Sequence, residues 1–160
     1  MEFKPLKHEF LLYGSYELTI DDKNRLQIPS EMRRSLDPDR DGEELFILVG
    51  ANRKIWFYPD RYYRELVSQK APEIVPGTES LEFDHLNFAN AFREKWDKQG
   101  RISMRDRLLK RTETGRDVTM IGARDHMECW NTADWNVWSE ELDRRRAEIA
   151  QGARQIRQTS

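Results

Sequence analysis

Two stretches of the chain echo one another: Asp21-Asp22-Lys23-Asn24-Arg25-Leu26-Gln27-Ile28-Pro29 and Asp97-Lys98-Gln99-Gly100-Arg101-Ile102-Ser103-Met104-Arg105. At an offset of 76, Asp21 matches Asp97, Arg25 matches Arg101, Leu26 matches Ile102 and Ile28 matches Met104. Downstream the offset falls to 72. There Phe46-Ile47-Leu48-Val49-Gly50 matches Val118-Thr119-Met120-Ile121-Gly122, Ile55 matches Met127, Tyr58 matches Trp130 and Tyr63 matches Trp135. The lost four residues fit a longer acidic loop, Asp37 to Glu44, in the first copy. Shared positions in one order over about 50 residues make this a tandem repeat.

Each copy predicts the same elements. A strand (Tyr16 to Ile20; Phe92 to Trp96) enters a polar turn (Asp21 to Asn24; Asp97 to Gly100). Asn and Gly tolerate the positive φ that such a turn needs. A second strand follows (Arg25 to Ile28; Arg101 to Met104), with Leu26/Ile28 and Ile102/Met104 on one face. A short helix comes next: Glu31 to Leu36 behind an expected Ser30 cap, and Asp106 to Lys110. Two strands then pair across Gly50-Ala51-Asn52 and across Gly122 to Asp125, and a helix closes each copy. The first closing helix is expected over Asp60 to Gln69. The second is expected from a Thr132 cap to Ala150, with the stripe Trp135, Trp138, Leu142 and Ile149. One copy without its closing helix is only about 45 residues, too small to bury a stable core alone, so the two should fold together as a pseudo-dimer. The expected divisions are an N-terminal extension (1–13), a first half (14–70), a Pro/Gly connector with a helix near Ser80 to Asn90 (71–91), a second half (92–150) and a polar, frayed tail (151–160).

Composition narrows the function. The 160 residues carry 27 Lys+Arg against 29 Asp+Glu, a formal net charge of -2, and the mean hydropathy is -0.89. No apolar run approaches the roughly 20 residues that span a bilayer. The charged N-terminus (Glu2, Lys4, Lys7, Glu9) and short apolar run do not suit a signal peptide. One cysteine, Cys129, cannot form an intrachain disulfide, so a cytoplasmic location is expected. His8, His85 and His126 are scattered, and no phosphate-binding glycine loop occurs. His126 and Cys129 should point to opposite faces of a strand, which argues against a metal pair and for a buried, inert thiol. No catalytic residue, metal or cofactor is expected.

On the doubled motif and its flanks (Gly14-Ser15-Tyr16, Leu45 to Pro59, Val118 to Trp130), the chain from about Gly14 to Ala150 resembles the MraZ family of AbrB-like, swapped-hairpin regulators. The family mark is two copies of D-x-x-G-R-hydrophobic-x-hydrophobic-P. Asn24 stands for the usual glycine in the first copy, and Arg105 for the usual proline in the second. The resemblance implies an α+β, mainly β fold: a tandem pseudo-two-fold repeat of half-domains forming one double-psi-like β-barrel with flanking helices. It implies a cytoplasmic, nucleoid-associated regulator, a probable repressor of the division and cell-wall gene cluster. Such a protein binds short G-rich direct repeats in promoter DNA as a homo-oligomeric ring.

Candidate DNA-binding residues follow from the motif. Arg25 and Arg101 sit just past the turns, where a guanidinium can bond guanine O6 and N7. Lys23 and Lys98 on the turns suit phosphates. Arg33, Arg34, Arg105 and Arg107 could flank them. Asp21 and Arg25, like Asp97 and Arg101, can equally form a structural pair across the turn; the family resemblance favours DNA contact for at least one copy. From Arg93 to Arg111 there are eight basic residues against three acidic ones, and from Asp37 to Glu44 five acidic residues against Arg40. Positive charge should therefore gather near the motifs, with the acidic loop elsewhere. Arg144-Arg145-Arg146 is expected on the solvated side of the last helix or at a subunit contact. Trp56, Tyr58, Trp130, Trp135 and Trp138 should belong to the core or a subunit interface. The alternative is a protein-interaction module of antitoxin-like type that has lost specific DNA binding, working through the acidic loop and last helix.

Overall fold

A computed structural model describes residues 9–158. Its first copy runs β1 (Ser15–Thr19), β2 (Arg25–Gln27), α1 (Ser30–Ser35), α2 (Pro38–Asp41), β3 (Leu45–Val49), β4 (Ile55–Pro59) and α3 (Asp60–Ser68). After α4 (Thr78–Phe88), the second copy runs β5 (Phe92–Glu94), β6 (Arg101–Ser103), α5 (Asp106–Arg111), β7 (Asp117–Gly122), β8 (Met127–Asn131), α6 (Thr132–Arg144) and α7 (Arg146–Gln158). The fold is α+β and mainly β, built on two repeats.

Six strands form one antiparallel sheet in the order β1-β7-β8-β4-β3-β5, and β2 pairs with β6 in a separate ribbon. The pairing is swapped. The first strand of each copy lies beside the third strand of the other: β1 against β7, with Ser15 opposite Ile121, and β5 against β3, with Phe92 opposite Ile47. Exchanging the copies maps the strand order onto itself, which is pseudo-two-fold symmetry. The axis passes between β4 and β8, where Trp56 faces Glu128, and through the ribbon, where Leu26 faces Ile102. Neither copy completes its own sheet, so their shared core follows directly.

That core joins the inner face of the ribbon to the sheet. Leu26, Ile28, Ile102 and Met104 are buried with Leu45, Ile47, Phe57, Val118, Met120 and Met127. The N-terminal extension contributes to it: Phe10 and Leu12 are 3% and 1% exposed, while Leu11 and Tyr13 face outward. Leu12 pairs with Arg124 as a short bridge, and a Cβ on Gly122 would lie 2.2 Å from the Tyr13 nitrogen. Glycine at 122 is therefore what lets this segment approach.

Several local expectations need correction. Pro29, not Ser30, occupies the cap position of α1, and Ser30 is already helical. Asn131, not Thr132, precedes α6; its side chain accepts from the Gly115 amide at 2.7 Å instead of capping. The last helix does not run unbroken to Ala150. It breaks at Arg145 (φ -105, ψ 17), whose amide bonds the Leu142 carbonyl, and resumes as α7. α7 continues through the segment whose polarity suggested fraying, because Ile149, Ala153 and Ile156 give it helical spacing. The stripe residues Trp135 and Trp138 pack on β8, edge-on (5.4 Å) and stacked (6.4 Å) against Trp130. Among the described residues, no helix is long and apolar enough to cross a membrane.

The acidic segment is not a separate loop. Residues Pro38–Asp41 form α2, and Asp41 is buried, bonded by Arg40 and by the Asp37 amide. Glu43 pairs with Lys95 at 2.8 Å, and Glu44 with Arg93 at 3.5 Å. The first copy's acids thus neutralise the start of the second copy's basic stretch. They are adjacent because β3 and β5 are paired.

Candidate nucleic-acid interface

Both motif turns close in the same way. The Asp21 amide donates to the Arg25 carbonyl (3.0 Å) and the Asp97 amide to the Arg101 carbonyl (2.8 Å). Asn24 and Gly100 take φ 59 and 81, as the turn requires. Each aspartate then binds its turn from within. One Asp21 oxygen accepts the Lys23 and Arg25 amides at 2.9 and 2.8 Å, and the other accepts Arg25 Nε at 2.7 Å. Asp97 repeats this with the Gln99 and Arg101 amides at 2.9 and 3.0 Å, and with Arg101 Nε at 3.0 Å. The backbone amides of Arg25 and Arg101, helped by the guanidinium groups, hold both carboxyls below the usual carboxylate range.

The structural pairing of Asp with Arg is therefore real, and it is compatible with ligand contact. It engages Nε, and the Arg25 and Arg101 side chains keep 28% and 29% of their surface exposed. The ribbon also sets the two arginines on one face, diagonally across it. Leu26 and Ile102 point inward at 0% exposure, so Arg25, Gln27, Arg101 and Ser103 alternate to the outer face. Gln27 lies opposite Arg101, and Arg25 opposite Ser103. Lys23 and Lys98 are exposed on the turns at opposite ends of this face.

The flanking candidates separate. Arg34 on α1 and Arg107 on α5 are exposed. Arg105 lies over the Phe92 ring at 4.0 Å. Arg33 is half-buried: its Nε donates to the Ile28 carbonyl at 3.0 Å, and its guanidinium covers Gly100. Of the basic stretch, Arg93, Lys95, Arg101 and Lys110 are in ion pairs, so the free positive surface is narrower than the sequence implied. Arg144 and Arg145 pair with Glu141, and Arg146 with Asp143.

The drifted second motif keeps its backbone. Arg105 adopts φ -74 and ψ 131 where Pro29 has φ -53 and ψ 134. Met104 is buried like Ile28, and the cross-ribbon bonds are reciprocal: Ile28 amide to Gly100 carbonyl, Met104 amide to Asn24 carbonyl. The turns have further partners that the sequence reading missed. Arg116 bonds the first turn, and Gln27 the second. Their contacts span 72 to 95 residues, so no local spacing reveals them.

Away from the ribbon, His126 lies between Asp125 (2.8 Å) and Glu128 (2.9 Å) and stacks on Trp56 with centroids 4.1 Å apart. Tyr62 donates to Asp125, and Asn52 and Trp130 donate to Glu128. Cys129 faces away, 1% exposed, its thiol pushed up to about 12 by burial.

The family model for MraZ protein, described as antitoxin-like, matches residues 11–82 and again 87–157. Among curated proteins, the chain is 32% identical over 120 residues to the transcriptional regulator MraZ of Mycoplasma mobile, covering 75% of this chain and 79% of that protein. It is 29% identical over 147 residues to the transcriptional regulator MraZ of Roseiflexus castenholzii, covering 92% and 99%. It is 26% identical over 141 residues to that of Lactobacillus gasseri, covering 88% and 95%.

Proposed function

The chain belongs to the MraZ family, and on that premise we propose that it is a sequence-specific DNA-binding transcriptional regulator. The observation that carries this reading is the outer face of the β2–β6 ribbon, which Arg25 and Arg101 share on a diagonal, each buttressed by its own aspartate. A two-stranded ribbon fits the major groove. With Nε held by the carboxylate, the two Nη groups can approach guanine O6 and N7 end-on without first losing side-chain freedom. Lys23 and Lys98 at the turn tips reach phosphates, and Arg34, Arg105 and Arg107 flank the track. The retained backbone at Met104 and Arg105 supports two working motifs rather than one.

The target is short G-rich direct repeats in promoter DNA, and the outcome is repression of the division and cell-wall gene cluster by a cytoplasmic, nucleoid-associated protein. One subunit offers few base contacts, so affinity comes from a homo-oligomeric ring that engages several repeats together. Exposed apolar side chains support assembly: Phe83 (52%) and Leu86 (79%) on α4, and Val137 (69%) on α6.

Arg25→Ala and Arg101→Ala test the reading in a mobility-shift assay with a G-rich repeat probe. Each variant should lose specific binding by at least about tenfold, the scale of a bidentate base contact, while its melting temperature stays near that of the parent. Normal shifts by both variants would refute the assignment.

A further inference from the structure

The two turns are braced by side chains from the opposite copy, and by unlike ones. The turn from Asp21 to Asn24 receives Arg116, whose Nη1 donates to the Asp21 carbonyl at 2.7 Å and to Asn24 Oδ1 at 2.9 Å. The turn from Asp97 to Gly100 receives Gln27 and Arg33. Gln27 Nε2 donates to the Gln99 carbonyl at 2.8 Å. Arg33 is anchored on Ile28, and its Cζ would lie 2.4 Å from a Cβ built on Gly100. These braces are not copies of one another. The repeat places Leu109 where Arg33 stands, and Ser103 where Gln27 stands.

We propose that Arg116 and Arg33 are positioning residues, each fixing the other copy's turn and so orienting Arg25 or Arg101. The physical logic accounts for the difference between the motifs. A non-glycine residue at positive φ is uncommon, and asparagine is among the few that adopt it. At position 24 the asparagine side chain also accepts a bond from Arg116. At position 100 a Cβ would meet the Arg33 guanidinium and Gln27 Nε2, which would have to shift, and glycine tolerates the conformation. Each brace therefore goes with the residue it holds: asparagine supplies the acceptor that Arg116 uses, and glycine supplies the gap that Arg33 fills. Arg33, a candidate DNA contact by sequence, acts through the turn instead. Crossing the pseudo-axis, the braces make each arginine depend on the other half of the chain.

The consequence for DNA rests on the proposed function; the positioning itself does not. Backbone amide exchange in the full chain tests positioning directly. Arg116→Ala should speed exchange at Asn24 and Arg25 by about fivefold or more, leaving Gly100 and Arg101 unchanged, as expected of a local opening. Arg33→Ala should do the reverse, and Arg33→Lys carries the same comparison if the alanine variant does not fold. No change, or a uniform change at both turns, would overturn the proposal. In a DNA-binding cycle, Arg116→Ala should cost about fivefold in the parent and in Arg101→Ala, but less than about twofold in Arg25→Ala. Arg33→Ala should show the opposite pattern, and equal losses in both backgrounds would overturn it. If the parent shows no sequence preference, the DNA reading fails while amide exchange still decides the positioning claim.

Discussion

An arginine that must meet a base edge is most effective when its torsions are fixed beforehand. On the proposed reading that task falls to two aspartates, which bind their own turn amides and the neighbouring Nε in one arrangement. The motif residues were legible because they repeat at a fixed offset; the residues that hold them were not. Arg116 and Gln27 reach the turns from 92 and 72 positions away, and the repeat does not duplicate them. Gly100 offers the sharpest residue-scale test. Alanine there would meet both positive φ and the Arg33 guanidinium. Gly100→Ala should destabilise the protein by about 2 kcal/mol, the scale of a strained backbone position, measured by urea denaturation. Asn24→Gly should change stability by less than that, since glycine accepts the same φ and only the Arg116 bond is lost.

At the scale of elements, β4 and β8 meet at the pseudo-axis over a buried ionic cluster. His126 is opposed by burial, yet Asp125 and Glu128 together raise its pKa above the ordinary 6.5. Burial likewise opposes the two carboxylates, and the histidine bond brings both below their ordinary values. The signs set a window. The raised histidine adds stability that is complete below the unfolded-state value and is lost as pH rises through the folded one. The depressed carboxylates add stability above their unfolded values that is lost as pH falls through the folded ones. Thermal stability should therefore peak between the carboxylate and histidine ranges and decline on both sides. His126→Ala should flatten that profile and cost about 3 kcal/mol, because it leaves two carboxylates facing each other without their cation. A profile unchanged by the substitution would contradict this account. The sequence placed His126 and Cys129 on opposite faces but did not show the cluster, which assembles from β4, α3 and the β7–β8 hairpin. The break at Arg145 was equally hidden, since neither Pro nor Gly marks it.

At the scale of the whole molecule, swapped pairing makes the two copies one body. The repeat was legible from matched positions, and its halves were expected to share a core. The swapped pairing came only from the family resemblance, because similarity between the copies does not say how they interlock. The charge arrangement also differs from expectation. The acidic segment sits against Arg93 and Lys95, while Lys23 and Lys98 on the motif turns stay exposed. A net charge of -2 is then compatible with a narrow interface. Binding on the proposed reading should weaken steeply with salt, and Lys23→Ala should reduce the slope of log K against log salt by about 0.9 per subunit engaged, as one phosphate contact is lost. An unchanged slope would remove Lys23 from the phosphate track.

On the proposed reading this ribbon recognises base sequence. An unbiased selection of duplex DNA by the purified full chain tests it most directly. The expected result is enrichment of a short G-rich motif, recurring in one orientation at regular spacing, that disappears with Arg25→Ala and with Arg101→Ala. Recovery of no enriched motif by the parent protein would contradict it.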